Sequence, residues 1–125
     1  RLAELYSNNK EYRKAIDFYE TVLRDVDHDS IRGQLYPKLG GEYLKFNDYE
    51  KAANYLVRGL NLNRKSKNEA NLLIALNNLG DLNLQQSRLI LAEQQLLEAG
   101  AIAKKIDNKT ELLKHYKLMK ALDSN

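Results

Sequence analysis

Cysteine and tryptophan are absent from this 125-residue sequence, and proline occurs once. Without cysteine the chain forms no disulfide framework and offers no thiolate ligand to a metal. No stretch approaches the roughly 18 consecutive apolar residues of a membrane-spanning helix. The first ten residues also lack the apolar segment of a signal peptide. These absences favour a helical, cytoplasmic protein that does not enter a membrane.

A strong charge of one sign is also absent, because 20 basic residues stand against 17 acidic ones and the net charge is +3. Domains that bind nucleic acids usually carry a marked basic excess on one face. The short basic stretches around Lys65 and Lys104 fall near predicted helix ends, where cations interact favourably with the helix dipole. We therefore expect no contact with nucleic acid from this chain.

Motifs for catalysis and metal binding are missing as well. The sequence has no nucleophile elbow, no glycine-rich phosphate loop and no HExxH pattern. His28 lies among aspartates, but the glycine and glutamate of a calcium-binding loop are misplaced. We expect His115 on the outer side of the last helix. The sequence thus predicts a protein that is not an enzyme, with no catalytic residue, no metal site and no cofactor.

An internal repeat is the main positive feature of the sequence. In three successive copies, an alanine follows a small residue at a distance of 12 residues, and a fourth, partial copy follows with Tyr116 and Met119. The repeat positions are Ala3, Tyr6 and Ala15 in copy one, Tyr36, Leu39, Gly40, Tyr43 and Ala52 in copy two, and Leu76, Leu79, Gly80 and Ala92 in copy three.

The spacing within each copy is helical. Apolar residues in the second half of each copy recur at alternating steps of three and four, which place them on one face of an α-helix. The sequence lacks the period of two that is typical of strands. Asn8 and Asn9 in copy one, Asn47 in copy two and Ser87 in copy three are predicted to cap the second helix of each copy. The predicted helices cover residues 1–8, 11–26, 31–46, 48–63, 68–85, 88–106 and 109–123.

The small residues have a predicted role in packing. Gly40 and Gly80 fall inside first helices, where glycine costs up to about 1 kcal/mol relative to alanine. Because this cost recurs in phase, we expect these glycines, with Ala52 and Ala92, at the crossing points of paired helices. Pro37 falls near the start of its helix, and proline is tolerated in a first turn. If the helix begins at Ser30 or Ile31, Pro37 should kink it instead.

These residues resemble the tetratricopeptide repeat, and the copy from Tyr36 to Gly59 fits its pattern best. The resemblance implies an all-α solenoid of antiparallel helix pairs. The family's period is about 34 residues, whereas the copies here step by 37 and 40 residues, so we expect longer helices. We interpret the chain as one domain from a longer array, with repeats at about 1–28, 29–66, 67–107 and, in part, 108–125.

The resemblance also implies that the first helices line a concave surface that binds a protein or peptide. Asparagine amides can pair with the backbone of an extended peptide, lysines can meet carboxylates, and a glycine leaves room for a ligand side chain. Projecting the repeat onto the sequence places nine residues on this surface: Lys38, Gly41, Lys45, Asn77, Asn78, Asp81, Gln85, Lys114 and Lys117.

Two alternative functions stay open at this point. The long repeats, rich in lysine and asparagine, are similar to the peptide-sensing domains of pheromone regulators in Gram-positive bacteria. A scaffold or homodimerisation segment is the second alternative, since Leu112, Leu113 and Leu122 lack a following helix. A carboxylate clamp of the chaperone-binding type is not expected, because only Asn78 and Lys114 match its five positions.

Overall fold

A computed structural model describes the backbone from Leu2 to Asn125 and the side chains from Glu11 onward. Within this range the chain forms helices joined by short turns and contains no strand, which confirms the all-α prediction. The helices are α1 (Leu2–Asp25), α2 (Asp29–Lys45), α3 (Tyr49–Ser66), α4 (Glu69–Gln85), α5 (Leu89–Ala103) and α6 (Lys109–Asp123).

The helices stack as a solenoid of hairpins. Each helix packs on the next one in sequence, so α2 pairs with α3 and α4 pairs with α5, while α6 packs on α5. In addition, α2 packs on α4 and α4 packs on α6, whereas in the described part of the chain the backbones of α1, α3 and α5 do not approach one another in this way. Since equivalent elements lie closer together on the inner side of a curved array, α2, α4 and α6 line the concave side.

The first predicted helix pair is wrong. The structure has one continuous helix, α1, where the sequence predicted helices at 1–8 and 11–26. The expected break rested on Asn8 and Asn9, but asparagine permits a cap without requiring one, and no glycine or proline interrupts this stretch. The side chains of Ala3 and Tyr6 lie outside the described residues.

The caps in the turns within the two hairpins are displaced by one residue from their predicted positions. Asn47 and Ser87 adopt positive φ values of 64° and 59°, and the cap falls on the residue that follows. The side chain of Asp48 accepts from the backbone N–H of Lys51 at 3.2 Å. Asn47 therefore closes the preceding helix in the left-handed region, which asparagine tolerates better than most residues.

Gly40 and Gly80 lie where paired helices approach closely. A Cβ atom on Gly40 would stand 2.5 Å from Cγ of Leu56, and one on Gly80 would stand 2.5 Å from Cδ2 of Leu96. Both leucines are fully buried. The two crossings are therefore built alike, with a glycine in the first helix that admits a leucine from the second.

The other repeat positions divide by burial. Several are in the core between the paired helices, and two are only partly buried. Buried are Leu39, Tyr43, Ala52, Leu76, Leu79 and Ala92, and partly buried are Ala15 and Tyr36.

Pro37 lies well inside α2 and not in its first turn, because this helix begins at Asp29. The proline is fully buried, and its ring occupies space that a side chain at position 59 would need. A Cβ atom on Gly59 would stand 2.8 Å from both Cγ and Cδ of Pro37. The glycine at position 59 thus accommodates the proline of the facing helix.

Candidate protein-binding surface

The three helices α2, α4 and α6 present their outward side chains on one continuous concave surface. We use the term inner surface for those predicted binding residues that are exposed or partly exposed on the concave side. The lysines are separated along it by the polar residues of α4, and its members are Lys38, Lys45, Asp81, Gln85, Lys114 and Lys117.

Three of the nine predicted binding residues, Gly41, Asn77 and Asn78, are buried within the stack and are corrected here. Asn78 is only 4% exposed, and its Nδ2 donates to the backbone carbonyl of Pro37 at 3.1 Å. Lys114 donates from Nζ to the Oδ1 atom of Asn78. A Cβ atom on Gly41 would stand 2.8 Å from Nδ2 of Asn78. Gly41 therefore leaves room for Asn78 and not for a ligand.

Asn77 has an equivalent structural role toward the next helix. It is fully buried, and its Nδ2 donates to the backbone carbonyl of Glu111 at 3.0 Å and to the carboxylate of the same residue at 3.2 Å. The two adjacent asparagines thus fasten α4 to α2 on one side and to α6 on the other. Neither amide is free to bind a peptide in this conformation.

Lys114 lies among charges from all three first helices. Burial lowers the pKa of its ammonium group, the carboxylates of Glu111, Asp81 and Glu42 oppose this effect, and Lys45 adds to it. Opposite charges in this range favour the protonated form of the lysine. The positive charge of Lys114 is thus offset mostly by carboxylates of the same chain. One of them, Glu42, lies on this surface although the sequence did not predict it there.

The remaining side chains form a loose polar network. Gln85 donates from Nε2 to Asp81 at 3.0 Å and lies 3.1 Å from the hydroxyl of Tyr49. Lys45 stands 3.6 Å from the carboxylate of Glu42. Among residues 11–125, Lys38 and Lys117 form no ion pair. These two lysines are therefore available for an acidic partner.

His115 is buried, which corrects the expectation that it lies on the outer side of α6. It is 7% exposed and fits against Gly100, where a Cβ atom would stand 2.9 Å from its Nε2. Its Nδ1 has no hydrogen-bond partner, and burial lowers its pKa. The sequence of α6 could not predict this burial, because the space that His115 occupies depends on Gly100 in the neighbouring helix α5.

No group of three histidine, cysteine, aspartate or glutamate side chains is placed to hold a metal among the described residues. His28 is exposed in the turn before α2. In the same part of the chain, no helix has both the length and the apolar character that crossing a membrane requires.

Comparison with known families agrees with this architecture. Residues 1–24 and 33–66 each match the tetratricopeptide repeat. The second match covers the α2–α3 hairpin with its crossing of Gly40 and Leu56. The chain belongs to the tetratricopeptide repeat family. The first match falls on α1, which is one long helix and not a hairpin.

A Drosophila melanogaster protein described as "BBSome complex member BBS4 homolog" is 35% identical over 65 residues. The match covers 52% of this chain and 13% of that relative. This tetratricopeptide repeat chain therefore corresponds to a small part of the relative's length. No solved structure matches the chain.

Proposed function

We propose that this chain is a non-catalytic protein-binding module whose inner surface receives an acidic, extended segment of a partner. The observation that carries the proposal is the placement of Lys38 and Lys45 on α2 and of Lys117 on α6, with α4 packed between these two helices. Tetratricopeptide repeats are protein-interaction modules, and this surface is the one that their stacking makes continuous.

The dimensions of the inner surface suit an extended peptide. Packed helices lie about 8–10 Å apart, so the path from α2 across α4 to α6 is about 16–20 Å. An extended chain rises about 3.3 Å per residue, and about six residues cover this distance. Lysine is a point charge on a flexible stem, so this surface tolerates carboxylates at several positions.

The alternative of a peptide-sensing domain loses its main support, because the side-chain amides of Asn77 and Asn78 donate hydrogen bonds to neighbouring helices. The scaffold alternative gains support, since the relative is described as a member of a multi-protein complex. We therefore propose that the inner surface holds a subunit or peptide segment within an assembly, in a reducing compartment such as the cytoplasm. Self-association through the exposed Leu113 and Tyr116 of α6 is the second candidate.

A peptide array tests the proposal directly. We expect extended acidic peptides to bind more strongly than their basic counterparts, and the variant Lys38→Glu/Lys45→Glu/Lys117→Glu to lose this preference. The control variant Lys65→Glu/Lys104→Glu/Lys109→Glu changes the net charge equally at other exposed positions and should retain the preference. Equal effects of the two variants would show that net charge, and not the inner surface, governs binding.

A further inference from the structure

A second groove runs along the convex side, between α1 and α3. Both helices pack on α2, while their own backbones stay apart along the described residues, so a channel is left between them above α2. It contains two cavities of about 630 Å³ and 250 Å³ that share Asp17 and Glu20 as lining residues. We call this channel the outer groove, and its lining includes Arg13, Asp17, Glu20, Arg24, Tyr36, Lys51, Tyr55 and Arg58.

Tyrosine rings form a fixed floor for the outer groove. The rings of Tyr43 and Tyr55 are stacked with centroids 5.7 Å apart, and Tyr36 lies 5.6 Å from Tyr55. The carboxylate of Glu20 accepts hydrogen bonds from the hydroxyls of Tyr43 at 2.7 Å and Tyr55 at 3.4 Å. These contacts hold Glu20 in place without a cation.

Cations stand at both ends of the outer groove. Arg13 and Lys51 mark one end, where they lie over the rings of Phe46 and Tyr43 at 5.6 Å and 5.5 Å. Arg24 and Arg58 mark the other end, where Arg58 lies 5.9 Å from the centre of the Tyr36 ring. Aromatic rings attract these cations without neutralising their charge.

None of these four cations forms an ion pair within residues 11–125. The next gap along the same side, between α3 and α5, is different. There Arg64 donates to both carboxylate oxygens of Glu98, at 2.5 Å and 2.7 Å, and this bidentate pair bridges the two helices. The outer groove therefore differs from its neighbour in leaving its cations unpaired.

We propose that the outer groove binds a helix of a partner protein that carries acidic, basic and acidic residues at successive four-residue intervals. Along α3 the two cationic ends are about 10 Å apart, because Lys51 and Arg58 are separated by seven residues at 1.5 Å each. Two carboxylates eight residues apart on a partner helix are separated by about 12 Å. The basic residue between them faces the exposed carboxylate of Asp17.

This proposal is separate from the proposed use of the inner surface. The outer groove lies on the opposite side of α2 and shares none of the residues that define the inner surface. A module with both sites would hold two partner segments at once, one extended along the concave side and one helical on the convex side.

The test uses two helical peptides of about 16 residues, a length at which alanine-rich sequences form helices. One carries Glu, Lys and Glu four residues apart, and the other carries Lys, Glu and Lys at the same positions. Fluorescence titration at low salt should give at least about tenfold tighter binding of the Glu-Lys-Glu peptide to the wild-type chain.

Variants then locate the binding. Arg24→Glu/Arg58→Glu should abolish this binding, while Lys104→Glu/Lys109→Glu, with the same change in net charge, should retain it. The variant Asp17→Lys/Arg24→Glu/Arg58→Glu should prefer the Lys-Glu-Lys peptide. Circular dichroism establishes that each variant stays helical. Absence of binding by the wild-type chain would overturn the proposal, as would equal loss in both double variants or loss only in the variant of the inner surface.

Discussion

The side-chain amide of Asn63 donates to the backbone carbonyl of Gly33 at 2.8 Å. In an α-helix this carbonyl would accept from the residue four positions later, but that residue is Pro37, which has no N–H. The same Nδ2 also donates to the carbonyl of Gly59 at 2.7 Å. Asn63, in α3, therefore supplies the hydrogen bond that the proline removes from α2.

Replacing Asn63 by alanine should lower the free energy of unfolding by about 1–3 kcal/mol, because the buried carbonyl of Gly33 loses its partner. Urea denaturation measures the change. In the background of Pro37→Ala, which restores a backbone N–H to α2, the loss from Asn63→Ala should be smaller by about 1 kcal/mol. Strict additivity in this double-mutant cycle would refute the assigned relationship between the two residues.

Alanine at Gly40 or at Gly80 should destabilise the fold by about 1–3 kcal/mol, although alanine is the better helix former. The new methyl group would stand 2.5 Å from Leu56 in one hairpin and 2.5 Å from Leu96 in the other. Thermal unfolding followed by circular dichroism measures both effects. The double variant Gly40→Ala/Leu56→Ala should lose less stability than the sum of the losses in the two single variants. An increase in stability from Gly40→Ala would contradict the close crossing.

Stability should fall as the pH drops below the unfolded-state pKa of His115. Burial lowers the pKa of this histidine from its ordinary value of 6.5, so the unfolded chain takes up the proton first. The stabilisation is fully present above pH 6.5 and is lost as the pH falls from 6.5 through the lower folded-state value. Unfolding midpoints in urea between pH 7 and pH 5 measure this dependence.

Two glutamine variants separate His115 from the other histidine. His115→Gln should reduce the slope of stability against pH in this window. His28→Gln, at an exposed position, should leave the slope unchanged. A slope that survives in the first variant would assign the effect to other groups.

Asn78→Ala should lower the free energy of unfolding by about 1–3 kcal/mol, because the carbonyl of Pro37 and the ammonium of Lys114 both lose a partner. Differential scanning calorimetry measures the loss. As a control, Asn61→Ala changes an exposed asparagine and should alter stability by less than about 0.5 kcal/mol. An unchanged melting temperature in the Asn78 variant would restore this residue as a candidate for ligand binding.

The sequence predicted the helices of the second and third copies because their signals are local and repeat in phase. The glycine crossings were predictable for the same reason, although the leucines that fill them were not. The predicted break between two helices within residues 1–26 was wrong, because Asn8 and Asn9 permit a helix cap that nothing in the neighbouring sequence enforces.

The roles of Asn77 and Asn78 could not be predicted, since the partner of each amide lies on another helix. An asparagine on a first helix has the same sequence pattern whether it binds a ligand or the backbone of a neighbouring helix. The outer groove was missed because Arg24 and Arg58 belong to different copies. Only the packing of α1 and α3 on α2 brings the two arginines to one channel.

The most direct test of the account is a titration of the ¹⁵N-labelled chain with an acidic extended peptide from the array, followed by NMR chemical shifts. We predict that the shift changes concentrate on α2, α4 and α6, around Lys38, Lys45, Gln85 and Lys117. Shift changes that instead concentrate on α3 and α5, with α4 unaffected, would contradict the assignment of the inner surface as the site of protein binding.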